Sequence, residues 1–306
     1  MLKGILKYIT DRDCRFRVNA IHGRYNDMPD EEYLKKLYKA TMGKELDLDR
    51  PKTMNEKLQW LKLHDHNPLY HTLVDKCEAK AFVGDRIGYE HVIPTLGVWD
   101  SFDDIDFEKL PDQFVLKCTH DSHCNVICKD KAALNREEAK KTITEGLRRN
   151  YYLKYREWAY KGVKPRVIAE QYLEDETGFL ADYKFYCFNG AVDCVLTCFD
   201  RMTGNTKFFF FDRNWKLKRY NKQGKDAPEG FTKPKPAGID EMFSLSEVLA
   251  KASGAPFVRV DFYNVYGTIY FGELTLYPSG GFDRGRLPET DRLFGDMIDL
   301  NTIRGH

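Results

Sequence analysis

One stretch constrains this chain more than any other: R259-V-D-F-Y-N-V-Y-G-T-I-Y-F-G-E-L-T-L-Y-P-S-G-G281. β-branched and aromatic residues run through it, and Gly267 sits where two strands would turn. Side chains two apart in a strand share a face, so Arg259 goes with Asp261 and Glu273 with Thr275. A loop of Val265, Tyr266 and Gly267 pairs Asn264 with Thr268 and sets Arg259 opposite Glu273, with Gly267 in the left-handed position such loops need. Arg259, Asp261, Glu273 and Thr275 then share one face. Val258, Val260, Phe262, Tyr270, Leu274 and Leu276 are left to pack a core. A two-residue loop would put Asp261 and Glu273 on opposite faces. The expectation is a hairpin with one apolar and one oxygen-rich face. Two carboxylates meeting on a sheet repel, and an oxygen-only ligand set suits Mg²⁺, which also takes phosphates and water. The plainer reading is a surface hairpin with an Arg259–Glu273 cross-strand pair.

Composition narrows the function classes. The 306 residues suffice for one large or two ordinary domains with ample core. Forty-eight basic against 47 acidic residues leave a formal charge of +1, which argues against nucleic acid as a partner. No apolar run approaches the roughly 18 residues of a membrane span, and the N-terminus lacks the apolar block of a signal peptide. Leu2, Ile5, Leu6 and Ile9 fall at helical spacing. They read either as a helix docked on the protein itself or as a peripheral contact with a membrane surface. The eight cysteines include no CxxC pair and read as reduced thiols, so the expected location is the cytoplasm, with the inner face of the membrane as the peripheral variant.

Along the chain, residues 30–42 read as a helix with acidic residues at its start and Gly43 as its stop. Thr53 and Glu56 form a capping box for a helix that turns Leu58 and Leu61 inward and ends near Asn67-Pro68. Residues 69–87 read as one helix, and 100–106 as an acidic turn. F114-V-L-K-C118 and V126-I-C-K129 are strands around a polar loop. Cys118, His120, His123, Cys124 and Cys128 gather there. Their types suit zinc, but their spacing matches no common zinc pattern, and strand cysteines beside loop histidines is the plainer account. Residues 135–158 read as one long helix opened by Asn135, with a basic, aromatic run from Arg148 to Trp158. Residues 164–173 form a strand, Asn189-Gly190 turns a hairpin, and 206–212 add a strand. A polar excursion and a helix over 239–252 then lead into the opening stretch.

R-V-D followed by G-E-L-T and P-S-G-G resembles the C-terminal metal-binding signature of the ATP-grasp enzymes. The E-L-T form, with Thr275 where that superfamily usually has Asn, is similar to the TupA-like branch, named for teichuronopeptide biosynthesis and found among surface-polysaccharide proteins. N55-E-K-L-Q-W-L-K-L63 and D182-Y-K-F-Y-C-F-N-G190 carry the same likeness, which spans the chain from about Pro51 to Leu300. The resemblance implies an α+β, ATP-grasp fold, with nucleotide clamped between a small lid subdomain and a larger antiparallel-sheet domain. Residues 1–68 would be a helical N-terminal extension, and 69–110 a helix and connector leading into the core. Residues 111–170 would be the lid, and 171–306 the larger sheet domain with the metal site.

The same resemblance implies ATP and Mg²⁺ as cofactors, with the metal on Asp261 and Glu273. Lys76 would be the first nucleotide-contacting lysine, and Lys117 would reach the phosphates from the lid strand. Ser122 would lie in the loop over the triphosphate. Glu170, Gln171 and Leu173 match the adenine hinge, and Asp182 and Lys184 match ribose and phosphate contacts. Thr275, Ser279 and Gly280 match substrate-binding positions, and F282-D-R-G-R286 adds two arginines near an anionic substrate group. Arg259 and Lys117 would be catalytic, Arg259 steadying acylphosphate oxygens. Where the branch has S-G-G, this chain has Ser122, His123 and Cys124, whose side chains are expected to hinder or re-route the lid. The implied activity is carboxylate–amine ligation, joining an amino acid or other amine to an acidic sugar of a surface polysaccharide or its lipid-linked precursor. A glycosyltransferase would also use acidic residues and a metal, but lacks a lysine-bearing lid. A nucleotide- or glycan-binding protein that has lost catalysis is the other alternative.

Overall fold

Alternating and near-continuous runs of β-branched and aromatic residues must bury at least one face, and here they pair into two antiparallel sheets. The computed structural model describes residues 7–122, 124–175, 180–199 and 206–303. With strands numbered in chain order, β1 (Thr95–Trp99), β4 (Val167–Gln171), β2 (Phe114–Cys118) and β3 (Asn125–Cys128) lie side by side in that order. The second sheet runs β10 (Thr268–Thr275), β9 (Phe257–Val265), β5 (Ala181–Phe188), β6 (Ala191–Phe199), β7 (Lys207–Phe211), β8 (Leu217–Lys218). The chain divides into two compact units. One holds both sheets, residues 68–149 and 162–276; the other gathers residues 1–67, 150–161 and 277–306.

In the sheet-bearing unit, the small sheet buries Phe114, Leu116 and Val167 against Ala139 and Ile143 of the helix Arg136–Leu147. Asn135 opens that helix by accepting from the Glu138 N–H at 3.1 Å, satisfying one of its unpaired donors. The larger sheet buries Phe185, Val260 and Phe262, and the Phe185 ring meets Phe243 of the helix Ile239–Ser253 edge-on at 5.0 Å. The turn of the β5–β6 hairpin puts Asn189 and Gly190 at φ 50° and 82°, as a tight Asn-Gly turn requires.

Three expectations are corrected here. The helix expected over 69–87 is two helices, Leu69–Val74 and Glu78–Ile87. Asp75 Oδ1 accepts from the Cys77 and Glu78 N–H groups, capping a new start where a continuous helix had been read. The helix expected over 135–158 ends at Leu147, and only Tyr152–Tyr155 resumes. Arg156, at φ 53° and buried, donates to the carbonyls of Tyr25 and Asn26 at 2.9 and 3.0 Å and ion-pairs with Asp30. An interior guanidinium needs those acceptors, and a straight helix could not deliver it to them. Thirdly, Cys118 and Cys124, read as free thiols, are joined in a disulfide. Their strands turn back on each other, and their Cα atoms lie 5.4 Å apart, within the span a disulfide bridges.

The helical unit is tied together by polar residues in its interior. Thr53 and Glu56 form the expected capping box at the start of the helix Met54–His64. The next residue, Asn55, is 1% exposed. Its side chain donates to Asp283 O and Asp291 Oδ2, both at 3.0 Å, and accepts from the Asp283 N–H at 2.9 Å. Arg286, expected beside an anionic substrate group, is instead buried and donates to Asp283 and Asp291. Asn55→Ala should destabilise the protein by about 2 kcal/mol in urea unfolding, because it strands buried partners on the C-terminal segment. An unchanged midpoint would show that the segment is held by packing alone.

Candidate active site

The hairpin of β9 and β10 does bring the carboxylates together, by a different register from the expected one. The loop has two residues: Tyr266 and Gly267 have φ 52° and 88°, and Val265 pairs with Thr268. Taken alone, that register would separate Asp261 from Glu273. A bulge at Gly272 restores the parity, so Glu273 pairs with Asp261 and Thr275 with Arg259. Tyr270 consequently lies opposite Tyr263 on the charged side, while Ile269 and Phe271 join the apolar side in its place. Gly272 leaves room for Tyr263: a Cβ there would stand 3.1 Å from the ring.

Arg259 bridges the two acids. Its Nε and one terminal nitrogen donate to Asp261 at 2.6 and 2.7 Å, and the same terminal nitrogen donates to Glu273 Oε1 at 2.7 Å. Lys184 on β5 donates to Asp261 Oδ2 at 2.7 Å and lies 3.7 Å from Asp182, and the Thr275 hydroxyl donates to Glu273 Oε1. Burial pushes the Asp261 carboxyl up, yet Arg259 and Lys184 outweigh it and hold it below its ordinary value. Burial also works against the Arg259 cation, and the two carboxylates again prevail.

The opposing cations come from β2 of the small sheet and from the helices Leu69–Val74 and Glu78–Ile87 with the break between them. Lys117, pointing from β2, donates to Glu170 Oε2 at 2.5 Å, while Lys80 pairs with Glu170 Oε1 at 2.7 Å. Lys76 stands at the helix break. Its N–H donates to Thr119 O at 3.0 Å, and its ammonium bonds the carbonyl of Asp121 in the loop between β2 and β3. Burial lowers its pKa, and it feels the charges of Glu273, Lys117, Asp121 and Glu170. Lys76 therefore links the two sheets electrostatically. Tyr263 does so as well: burial raises its hydroxyl pKa, reinforced by Asp182, Glu273, Asp261 and Glu170.

The family model described as TupA-like ATPgrasp matches residues 56–299. The chain belongs to the TupA-like ATP-grasp family. Its α+β architecture of two antiparallel sheets is the ATP-grasp fold. No curated protein matches the chain. Among solved structures it is similar to a D-alanine–D-alanine ligase from Bacillus anthracis complexed with ATP, at 16% identity and TM-score 0.43, over 76% of this chain and 63% of that one. It is also similar to the D-cycloserine synthetase DcsG, at 16% and 0.43, over 77% and 72%. A third is the ATP-grasp ligase PsnB with minimal precursor, Mg and ADP, at 11% and 0.42, over 92% and 74%. The chain spans 63% and 66% of the length of the two Bacillus anthracis ligase structures it matches.

Within this ATP-grasp chain, Lys76, Lys117, Glu170, Asp182, Lys184, Arg259, Asp261, Glu273 and Thr275 all lie in the sheet-bearing unit. Gln171 is exposed at the end of β4, its N–H on Pro94 O, and Leu173 and Ser122 are half-buried. Ser279 and Gly280 belong to the helical unit. Cys124 packs inward at 1% exposure beside Cys118 and Gly146, so its side chain does not stand in the loop as expected; His123 lies outside the described residues. The zinc ligand types also disperse. Cys118 and Cys124 are bonded, His120 Nε2 contacts Arg149 O, and Cys128 donates to Asp112 O. Among the described residues, the group close enough to share a metal is Asp75, Cys77 and Glu78, and Arg166 already pairs with both of its carboxylates.

Sequence reasoning missed Lys80, Tyr263 and Arg166. Parity could have found Tyr263, two residues beyond Asp261. Arg166 had no local signal, since it meets Asp75 across 91 residues. Glu170 carries a pH consequence. Burial pushes its carboxyl up, but Lys117 and Lys80 outweigh this and bring it from 4.5 down to about 2. A depressed carboxylate contributes stability above its unfolded pKa and loses it as pH falls through the folded one. About 3 kcal/mol should therefore disappear between about pH 4.5 and pH 2. Urea unfolding across that window should show the loss in wild type, and Glu170→Gln should flatten it. Equal acid sensitivity in the two proteins would remove Glu170 as its source.

Proposed function

We propose that this chain is an ATP- and Mg²⁺-dependent ligase joining a carboxylate to an amine through an acylphosphate. The observation that carries the reading is the electrostatic convergence on Lys76, where Lys117 of the small sheet and the lysines of the broken helix meet the Arg259-bridged acids of the larger sheet. The cations Lys76, Lys80, Lys117, Lys184 and Arg259 face the carboxylates Glu170, Asp182, Asp261 and Glu273, and Asp121 is matched by its own partner Arg149. One cation is left in excess, too little for a triphosphate unless a metal adds charge.

The donor set fits such an ion. Asp261 and Glu273 are oxygen ligands on paired positions of adjacent strands, and the Glu273 side chain is 42% exposed. Mg²⁺ held by these two residues would neutralise phosphate charge as a Lewis acid. Lys117 and Lys76 would bind the phosphates, with Ser122 in the loop above them. Glu170, Gln171 and Leu173 would form the adenine hinge, and Asp182 and Lys184 the ribose and phosphate contacts. Arg259 would steady the acylphosphate oxygens, with Thr275, Ser279 and Gly280 binding substrate.

A carboxylate oxygen of the acid would attack the γ-phosphorus as the bond to the ADP oxygen breaks. The amine nitrogen would then attack the acyl carbon, phosphate would leave, and the nitrogen would lose its proton to solvent or substrate. No protein nucleophile is required. The TupA-like setting favours an acidic sugar of a surface polysaccharide or its lipid-linked precursor as the acid and an amino acid as the amine, with the protein in the cytoplasm or at the inner membrane face.

A thermal-shift panel tests the nucleotide. ATP with Mg²⁺ should stabilise the protein by about 2.7 kcal/mol at a hundredfold excess over Kd, and UDP-sugars should not. Preferential stabilisation by a UDP-sugar would favour the glycosyltransferase alternative. Glu273→Gln should abolish Mg²⁺-dependent ATP turnover while circular dichroism stays unchanged, because this side chain is the accessible member of the acidic pair. Turnover at the wild-type rate would remove the metal assignment.

A further inference from the structure

The Pro278–Gly281 turn is built backwards. Ser279, Gly280 and Gly281 take φ of 54°, 62° and 70° in succession, a left-handed coil that costs a non-glycine residue such as Ser279 about 1–2 kcal/mol. Strain of this kind persists only where the surroundings over-determine it. Here two side chains of the helix Met54–His64 do so. The Gln59 amide donates to Gly280 O at 3.2 Å and Gly281 O at 2.7 Å, and the Lys62 ammonium donates to Gly280 O at 2.6 Å and Gln59 Oε1 at 2.8 Å. Tyr155 closes the other approach, since a Cβ on Gly280 would stand 2.8 Å from its ring.

Lys62 is an expensive residue to keep there. It is 2% exposed, lies 4.9 Å from the centre of the Phe282 ring and 5.8 Å from that of Tyr277, and meets no carboxylate in contact among the described residues. A well-packed apolar side chain would avoid the desolvation of an ammonium, so packing alone does not account for it. What Lys62 adds over a methionine is its set of N–H donors, and two of its acceptors lie on or lead to the turn.

We infer that Lys62 is a positioning residue: with Gln59 it draws the turn's carbonyls inward, and so fixes the backbone that presents the exposed Ser279 to the anionic group of the substrate. The last clause rests on the ligase reading above; the hold of Lys62 on the turn does not. Burial lowers the Lys62 pKa to about 7, with Glu157 the one charge it feels, so near neutrality it passes to a neutral amine whose two N–H groups are weaker donors to Gly280 O and Gln59 Oε1 than the ammonium's. Glu157, also buried, is raised to about 7 and feels Lys62 and Lys154. The other groups facing Lys62 are the Tyr277 and Phe282 rings and the Gln59 amide, while His66 meets only its backbone carbonyl.

Amide hydrogen exchange of the full chain, read by mass spectrometry and corrected for intrinsic rates, tests this without knowing the substrate. In wild type, protection of the peptide 277–283 should fall as pH rises from about 6 to about 8, and the fall should persist in Glu157→Gln but at lower pH, because the Glu157 charge raises the Lys62 pKa. Lys62→Met should speed exchange of that peptide at least about tenfold at the lower pH, leaving peptides of β9 and β10 unchanged. Lys62→Arg, charged throughout, should restore protection that no longer varies with pH. A flat wild-type profile, or equal exchange in wild type and Lys62→Met, would overturn the inference. The wild-type series needs no substitution, so it decides even if Lys62→Met folds poorly. Protection of the same peptide by D-glucuronate in wild type, lost in Lys62→Met, supports the substrate clause. No glucuronate effect in wild type counts against the ligase reading and leaves the hold of Lys62 on the turn, as exchange reads it, intact.

Discussion

Everything on the charged face of the larger sheet depends on one guanidinium. Asp261 and Glu273 occupy paired positions, where two carboxylates in a buried setting would repel or take up protons. Arg259 donates to both from the same strand as Asp261, so the compensating charge arrives with the chain. The face can therefore fold before any ligand is present. Lys184 completes the shell around Asp261, and Thr275 orients Glu273 by donating to the oxygen that Arg259 also uses. The second Glu273 oxygen is the part of this acid pair least committed to protein partners.

The opposite wall depends on a helix that stops early. Asp75 caps the helix beginning at Glu78, and Arg166 holds Asp75 from the end of the segment leading into β4. With the helix interrupted at that point, the Lys76 backbone is free to bond Thr119 just beyond β2. A straight helix would bond that N–H internally and carry the side chain round with its own periodicity. Arg166, which no motif marks, thus sets where Lys76 stands.

Much of this was legible in the sequence, for a physical reason. Alternation in a strand has a fixed period, so Arg259, Asp261, Glu273 and Thr275 declared a common face from their spacing, and Asn189-Gly190 and Thr53–Glu56 declared a turn and a cap from their chemistry. The hairpin loop was misread because two deviations cancel. The shorter loop shifts parity by one and the bulge at Gly272 shifts it back, and only packing against Tyr263 distinguishes that pair from a regular register. The break at Asp75 and the burial of Arg156 were illegible for another reason. Each is set by partners far along the chain, Arg166 in one case and the carbonyls of Tyr25 and Asn26 in the other, while the local pattern remains helical. The strained turn at Ser279 gives no sign in its letters beyond two glycines.

The helical unit is assembled from three separated lengths of chain, with the sheet-bearing unit threaded between them. Its apolar cluster needs Phe282 against Leu34 and Tyr38, and its polar tie needs Asp283 and Asp291 against Asn55. On a ribosome, the N-terminal helices therefore emerge well before the residues that cover them, while the segment 68–149 and 162–276 is synthesised and can pair its strands. Leu34, Tyr38 and Asn55 are therefore made before Phe282, Asp283 and Asp291, and wait uncovered until those follow. Between the synthesis of Asn67 and that of Phe282, that apolar surface stands open to aggregation.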